Sequence, residues 1–175
     1  DTGAFLQTEV SPASRVSLAG GVRIDRITTE NRGGYFGDRS TSIAAGSGFG
    51  SITVEPGRGL SMTAQVSRGF RDATLSDRYY RGPTGRGFLT GNPDLAPETS
   101  LQFDVGIRHT AGRVRTAAYV YQYRIDDLIE RFETETDSFF FRNRGRARLR
   151  GLELELQGDL GHGFSVGLSS HVARG

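Results

Sequence analysis

The sequence predicts an all-β protein, arranged as an antiparallel up-and-down meander of about seven or eight long strands. Apolar residues recur at every second position over several stretches of the 175-residue chain, which is the period of a strand with two different faces. Turn-forming sequences separate these stretches, and the chain contains 25 glycines. No apolar run approaches the ~20 residues of a membrane-spanning helix.

The alternation begins at Arg15, after a weakly patterned start that Pro12 ends. Strands are predicted over residues 15–25, 42–54, 60–67 and 100–108. Each of these stretches carries apolar side chains on one face and polar or small side chains on the other. In the second strand the alternation slips between Phe49 and Ile52, which predicts a bulge near Gly50.

Three further strands are predicted over residues 118–125, 152–157 and 164–172. The first of them alternates tyrosines with smaller residues, and the second alternates leucines with glutamates. Residues 126–142 hold several acidic positions and the triplet Phe139, Phe140 and Phe141. We expect this stretch to extend the neighbouring strands and to form a loop at its tip.

The predicted connections alternate in length along the chain. Those at 28–40, 71–98 and about 127–142 are long, and those at 55–59, 109–113 and 158–163 are short. In a meander this pattern places every long loop at one end of the sheet. The same asymmetry is typical of outer-membrane barrels, which have short periplasmic turns and long extracellular loops.

Alternation alone leaves two architectures open. In a small soluble barrel the apolar faces would form an internal core, and in a membrane barrel they would contact lipid while charges such as Asp104 and Glu153 face the lumen. The predicted strand lengths match the ~9–11 residues of a transmembrane strand, and Tyr119, Tyr121 and Tyr123 suit an aromatic girdle at the membrane surface. These two features favour the membrane barrel, with a soluble all-β binding module as the alternative.

Several motifs in one order resemble the TonB-dependent outer-membrane receptors. The segment Ser-Arg-Gly-Phe-Arg at 67–71 resembles one family box, and Asn-Pro-Asp-Leu-Ala-Pro-Glu at 92–98 resembles a second. A tyrosine-rich strand, an Asn-x-Gly at 143–145 and a Gly-x-Glu at 151–153 follow in the family's order. On this resemblance the residues of structural importance are Gly69, Phe70, Asn92, Pro93, Asp94, Pro97, Glu98, Gly151 and Glu153.

The resemblance implies a part of a 22-stranded barrel in the outer membrane of a Gram-negative bacterium. Residues 1–175 would be a fragment of the barrel domain, without the plug domain. Family members take up scarce large solutes such as iron–siderophore complexes, powered by the TonB–ExbB–ExbD complex acting through the plug. Outer-membrane lipid and lipopolysaccharide would surround the barrel. Haem-transporting members of the family carry a histidine between the two boxes. None lies between Phe70 and Asn92, so the resemblance disfavours haem.

The long connection at 71–98 is the predicted substrate-binding region. Its candidate ligand residues are Arg71, Arg78, Tyr79, Tyr80, Arg81 and Arg86. Arginines can bind anionic groups of a chelate, and tyrosines can stack on planar rings. The alternative is a solvated surface loop, or arginines that contact lipopolysaccharide phosphates.

No enzyme, cofactor or nucleic-acid partner is predicted. The chain lacks a Gly-x-Ser-x-Gly motif, a phosphate-binding loop and a metal triad. Its 22 arginines nearly balance 20 acidic residues, whereas a nucleic-acid binder would show a basic face. The acidic positions at 126–137 could offer oxygen ligands to a cation, but their spacing matches no compact calcium loop, and a solvated acidic loop is favoured.

Overall fold

The computed structural model describes residues 1–175 and consists almost entirely of strands. The elements are β1 (Thr2–Ala13), β2 (Val16–Asn31), β3 (Arg39–Gly57), β4 (Leu60–Arg71), α1 (Leu75–Tyr79), β5 (Arg81–Thr84), β6 (Gly87–Thr90), β7 (Glu98–Ala111), β8 (Val114–Glu135), β9 (Ser138–Gly161) and β10 (Phe164–Arg174). No helix of the chain is long and apolar enough to cross a membrane.

All ten strands belong to one sheet, and the predicted meander is confirmed. Strands β1, β2, β3, β4, β7, β8, β9 and β10 each pair antiparallel with the next in that order. These eight are the long strands. The short β5–β6 hairpin lies within the β4–β7 connection, and β6 joins the sheet by pairing in parallel with the beginning of β9.

Two local predictions are wrong. Strand β1 was not predicted, because its own pattern is weak and its register is set by pairing with β2, from Thr2 opposite Arg26 to Val10 opposite Leu18. The bulge near Gly50 is absent, since β2 and β3 pair without interruption along their whole length. The irregularity of β3 lies nearer its end, where the pairing with β4 shifts between Val54 and Gly57.

The connections confirm the predicted asymmetry of the two ends. Short turns at 14–15, 58–59, 112–113 and 162–163 lie at one end, and two of them use a non-glycine residue at positive φ, Arg58 and His162. The other end carries the connections 32–38 and 72–97 and the tip of the β8–β9 hairpin. Residues 126–142 prolong β8 and β9 and end in the two-residue turn 136–137, as the expected strand extension requires.

The apolar strand faces are exposed, so the alternative of a soluble module with an internal apolar core is wrong for this fold. Phe103, Val105 and Ile107 alternate with polar or small residues on β7 and are 47%, 51% and 44% exposed. In contrast, seven of the eight buried residues lie between Ala73 and Glu98. The buried residues of this chain therefore form a small cluster within one connection, and they do not lie between two sheet faces.

The tyrosine-rich strand faces the polar side, which corrects the predicted aromatic girdle. Tyr119, Tyr121 and Tyr123 of β8 lie opposite Gly106, Asp104 and Gln102 of β7. The rings of Tyr121 and Tyr123 stack with centroids 4.9 Å apart. An aromatic girdle requires these tyrosines on the lipid-facing apolar side, but the pairing register decides which face a row of side chains joins, and it places them on the polar side.

Candidate functional site

The candidate site is the connection between β4 and β7, residues 72–97, which we call the β4–β7 segment. It folds into helix α1 and the β5–β6 hairpin, and Ala73, Leu89 and Leu95 form its apolar interior. A connection of this length in a compact protein is usually functional when it is ordered. Here it is ordered by identifiable contacts at both of its ends and within it.

A capping box begins the segment. The Asp77 backbone N–H donates to Thr74 Oγ1 at 3.1 Å, and the Thr74 N–H donates to Asp77 Oδ2 at 3.0 Å. This arrangement satisfies two backbone donors that the start of a helix otherwise leaves free. Helix α1 is short and ends at Tyr79, and the carbonyl of the C-cap residue Tyr80 accepts the N–H of Gly91 at 2.7 Å.

Arg78 is the buried centre of the segment, with only 1% of its surface exposed. Its guanidinium donates to Asp72 Oδ1 at 2.6 Å and to the Pro93 carbonyl at 3.0 Å. The contacts link the residues before α1 to those after β6. Because its charge is already paired out of solvent, the structure gives Arg78 a structural environment and does not support it as a ligand-contacting residue.

Arg71 and Glu98, the residues on either side of the β4–β7 segment, attach it to the polar face of the sheet. Both residues lie in the polar row of their strands, where Arg71 pairs directly with Glu98. Arg71 Nε donates to Glu98 Oε2 at 2.5 Å, and the guanidinium also lies 3.4 Å from Asp77 in α1. The helix is therefore held over the polar side of the sheet.

Glu98 also joins the segment to β8. Its Oε1 accepts the Ile129 backbone N–H at 2.6 Å. Burial opposes ionisation of this carboxyl, but the hydrogen bonds from Arg71 and from the Ile129 N–H outweigh it and lower the pKa of Glu98 below its ordinary value. Glu98 lies three residues before Leu101 and is the first residue of β7, at the loop end of the sheet.

Asn92 of the second box and Asn143 of the Asn-x-Gly motif fasten the far side of the segment to β9. Asn92 Nδ2 donates to the Phe141 carbonyl at 3.0 Å, and Asn92 Oδ1 accepts the Asp94 N–H at 3.0 Å. Asn143 Oδ1 accepts the Ala96 N–H at 2.8 Å, while its Nδ2 donates to the carbonyl of Ala96 at 2.9 Å. The contacts tie together residues nearly fifty positions apart in the sequence.

The exposed side of the segment presents a cation between two aromatic rings. The Arg81 guanidinium lies 4.0 Å from the ring centre of Tyr35 and 5.1 Å from that of Phe88. Tyr35 also meets Phe36 edge-on at 5.0 Å, and Phe36 meets Tyr79 at 6.1 Å. The 32–38 connection and the β4–β7 segment therefore share one aromatic surface. Arg81 forms no ion pair with any carboxylate of the chain.

The remaining sequence candidates have separate surroundings. Tyr80 donates its hydroxyl to the Pro83 carbonyl at 2.7 Å, and Arg86 is exposed at the tip of the β5–β6 hairpin. Sequence reasoning missed Tyr35, Phe36 and Phe88. The signal for the first two was available, because an aromatic pair inside a glycine-rich polar connection is a feature that exposed ligand-binding surfaces often share.

The other motif residues lie along the strands and the second box. Gly69 and Phe70 pair with Ser100 and Thr99, which places them next to the Arg71–Glu98 pair. Gly151 pairs with Tyr121 and Glu153 with Tyr119. Pro93 supplies the carbonyl bound by Arg78, and Asp94 lies 3.7 Å from Arg39. Pro97 directly precedes Glu98 and the start of β7.

Two of the acidic positions in 126–137 are neutralised by arginines. Asp126 pairs with Arg124 at 3.2 Å and with Arg146 at 2.9 Å. Glu130 pairs with Arg142 at 2.8 Å and with Arg144 at 3.3 Å. No group of three or more acidic or histidine side chains in residues 1–175 is arranged to hold a metal ion.

The whole chain resembles one protein family. Residues 1–173 match the family model described as TonB dependent receptor-like, beta-barrel. The chain belongs to the TonB-dependent receptor family. Its eight-stranded meander is thus a part of that family's barrel, and the predicted family membership is confirmed.

Individual relatives of this chain support the same fold. Over 105 residues, 59% of the chain, it is 29% identical to the vitamin B12 transporter BtuB of Vibrio vulnificus (strain YJ016), and it covers 16% of that protein. The hemophore receptor HasR of Serratia marcescens matches with a TM-score of 0.83 at 17% identity, over 99% of this chain and 33% of that one. The copper transporter OprC matches with a TM-score of 0.79 at 20% identity, over 98% of this chain and 29% of that one.

A third solved structure is named for the solute class that the sequence favoured. The siderophore receptor PirA of Pseudomonas aeruginosa matches with a TM-score of 0.74 at 17% identity, over 98% of this chain and 34% of that one. The chain spans between 16% and 34% of the lengths of these four relatives. At these identities the structural likeness shows the fold alone.

Proposed function

We propose that these 175 residues are a segment of the barrel domain of a TonB-dependent receptor that takes up a ferric siderophore across the outer membrane of a Gram-negative bacterium. In this proposal a plug domain, outside the segment, fills the lumen and receives energy from the TonB–ExbB–ExbD complex. The apolar strand faces contact lipid and the polar faces line the lumen. The β4–β7 segment binds the solute on its exposed side.

The observation that carries this proposal is the environment of Arg81. Its guanidinium is held between Tyr35 and Phe88, and these rings are 68% and 40% exposed. A cation with no carboxylate partner, flanked by accessible aromatic rings, suits an anionic chelate that carries planar groups. The buried contacts of Arg78 fix the segment beneath, so the binding surface is formed before the ligand arrives.

The proposal is tested on the receptor that contains this segment, purified in detergent, with a ferric catecholate chelate as the probe. We expect saturable binding, and we expect Arg81→Gln to weaken it about tenfold, which corresponds to about 1.4 kcal/mol. Arg86→Gln is the matched control, because it removes the same charge from the same hairpin without an aromatic contact. We expect that control to change the affinity by less than about threefold, or about 0.65 kcal/mol.

Other solutes serve as competitors in the same assay. Tight binding of cobalamin, haem or a copper ion without any binding of the ferric chelate would reject the siderophore proposal. Equal losses for Arg81→Gln and Arg86→Gln would reject the specific role of the aromatic pair. Energy-dependent uptake is examined separately in cells, where loss of TonB should abolish accumulation of the chelate but leave surface binding intact.

A further inference from the structure

The β5–β6 hairpin carries Arg81 and Phe88 but has little that stabilises it on its own. Its two strands are four residues each, and Arg81 lies directly opposite Thr90. Phe88 is two residues from Thr90, so its ring lies on the same face as Arg81, with its centre 5.1 Å from the guanidinium. An isolated two-stranded hairpin is only marginally stable in water. The position of this ring therefore depends on what the hairpin is attached to.

The attachment is a third strand, which the β8–β9 hairpin supplies. Strand β6 pairs in parallel with the beginning of β9, where Leu89 lies opposite Phe139 and is only 9% exposed. The Phe88 backbone N–H donates to the Asp137 carbonyl oxygen at 2.7 Å. This hydrogen bond joins the residue whose ring flanks Arg81 to the turn between β8 and β9, in a distant part of the sequence.

The turn at 136–137 holds this carbonyl in a defined direction. Asp137 has a φ of 58°, a left-handed conformation that aspartate adopts more readily than most residues. Its backbone N–H donates to Glu133 Oε1 at 2.9 Å, and Thr134 Oγ1 donates to the Ser138 carbonyl at 3.2 Å. These hydrogen bonds close the tip of the β8–β9 hairpin, so the turn is a defined support for β6.

Only glycine fits where β6 begins beside this turn. Gly87 has a φ of 124°, which residues with a side chain rarely adopt. A Cβ atom at this position would lie 2.8 Å from the Asp137 carbonyl carbon and closer still to its oxygen. In contrast, a Cβ atom at Gly85, in the turn of the same β5–β6 hairpin, would have no heavy atom within 4 Å. The two glycines thus offer one substitution that breaks the contact with the turn and one that leaves it intact.

We infer that Gly87 and Asp137 are positioning residues of the solute site, because their close contact places the Phe88 ring against Arg81. The hydrogen bonds of Arg78 fix the residues before α1 and after β6, and they do not hold this ring. The inference rests on the proposed function. It gives the β8–β9 hairpin, which supplies no proposed ligand residue, a role in the affinity of the site.

The first experiment measures the site without any solute. The receptor that contains this segment is purified in detergent with para-fluorophenylalanine in place of Phe88, and its fluorine NMR spectrum is recorded with and without Arg81→Gln. We expect loss of the cation to shift the resonance in the unmodified receptor and in Gly85→Ala, because the ring contacts the guanidinium. In Gly87→Ala the loss of the cation should leave the resonance unchanged. A shift of full size in Gly87→Ala would overturn the inference.

The second experiment measures the affinity for a ferric catecholate chelate. We expect Gly87→Ala to weaken binding about fivefold, the upper range for an exposed cation–π contact, and Gly85→Ala to weaken it by less than about 1.5-fold. In the Arg81→Gln background, Gly87→Ala should cost less than about 1.5-fold more, since a positioning residue acts through the group that it positions. Equal losses in the two backgrounds would contradict the inference, because they would indicate a general loosening of the β4–β7 segment.

A further variant weakens the same contact without strain at a glycine. Phe139→Ala removes the β9 side chain opposite Leu89 and lies outside the β4–β7 segment. We expect a smaller loss of affinity than in Gly87→Ala, because the backbone pairing of β6 with β9 remains. Heat-modified gel mobility checks that every variant remains a folded barrel.

The two experiments separate this inference from the proposed solute. No loss of affinity in either Gly87→Ala or Phe139→Ala would show that the β8–β9 hairpin does not position the site. A receptor with the expected fluorine shifts but no affinity for the ferric chelate would reject the proposed solute, while supporting the placement of Phe88 by the turn at 136–137.

Discussion

The β4–β7 segment and the outer strands of the sheet are stabilised in different ways. The segment holds six of the eight buried residues and is joined to distant parts of the chain by side-chain hydrogen bonds. Strands β1 and β10 contain no buried residue, and their main contacts are the backbone pairings to β2 and β9. The segment thus resembles a small soluble domain, whereas the strands depend on their neighbours and on what surrounds them.

The largest expected effect comes from the buried arginine of the segment. Arg78→Met leaves the Asp72 carboxylate, whose side chain is 10% exposed, without its partner, and breaking one side of a buried ion pair costs about 3–5 kcal/mol. We expect hydrogen exchange over 72–97 to accelerate strongly, while exchange in β7 and β8 stays slow. The exposed Arg86→Met is the control and should change nothing measurable. Unchanged exchange in the Arg78 variant would show that the pair does not hold the segment.

The next effect separates the two faces of the sheet. Leu154→Arg places a charge on the apolar face, which costs about 2–4 kcal/mol at the middle of a bilayer. Its control, Glu155→Arg, places the same side chain one residue away on the polar face and should cost far less. The measurement is unfolding by denaturant in lipid vesicles. Similar costs for both variants would contradict the assignment of the apolar face to lipid.

A smaller effect, which depends on pH, is expected at Glu98, where the β4–β7 segment joins β7. The pKa of Glu98 is lower in the folded chain than in the unfolded chain. Its contribution to the stability of the fold is therefore complete above the unfolded pKa of about 4.3, and it is lost as the pH falls through the lower folded pKa. We expect protection of 72–97 from proteolysis by an acid-active protease to decline below about pH 4. Glu98→Gln should weaken the protection at neutral pH and remove most of this pH dependence.

The smallest effect is expected at the start of α1. Thr74→Ala removes the side-chain half of the capping box, which costs about 1 kcal/mol. Ser76→Ala is the control, because Ser76 is exposed in the same helix and its side chain has no hydrogen-bond partner. Hydrogen exchange of the α1 amides should separate the two variants. A loss in the Ser76 variant as large as in the Thr74 variant would indicate that helix propensity, and not capping, is being measured.

Much of the fold could be predicted because a strand with two unlike faces repeats every two residues. Seven of the eight long strands, the alternating connections and the extension of β8 and β9 follow from that period. Strand β1 could not be predicted, since its pairing with β2 and not its own pattern defines it. The bulge predicted in β3 is wrong because Phe49 is an apolar residue on the polar side. Its ring lies against Gly21, and the strand remains regular.

The site could be predicted as a region but not residue by residue. The arginines and tyrosines of 71–86 were visible in the sequence, yet composition could not distinguish the buried Arg78 from Arg81, which is exposed between two rings. That distinction depends on contacts with Asp72, Pro93 and the distant Tyr35.

The sequence alone therefore determines the two-residue period of each strand, which residues share a face, and which end of the sheet carries the long connections. Each of these follows from residues that are close together in the chain. The identity of each face and the partner of each charge depend on register, since one residue of slip would move the tyrosines of β8 to the other side. Only the folded chain brings Glu98 to Ile129 and Asn143 to Ala96. These contacts between distant residues determine which charges are neutralised and which remain available to a ligand.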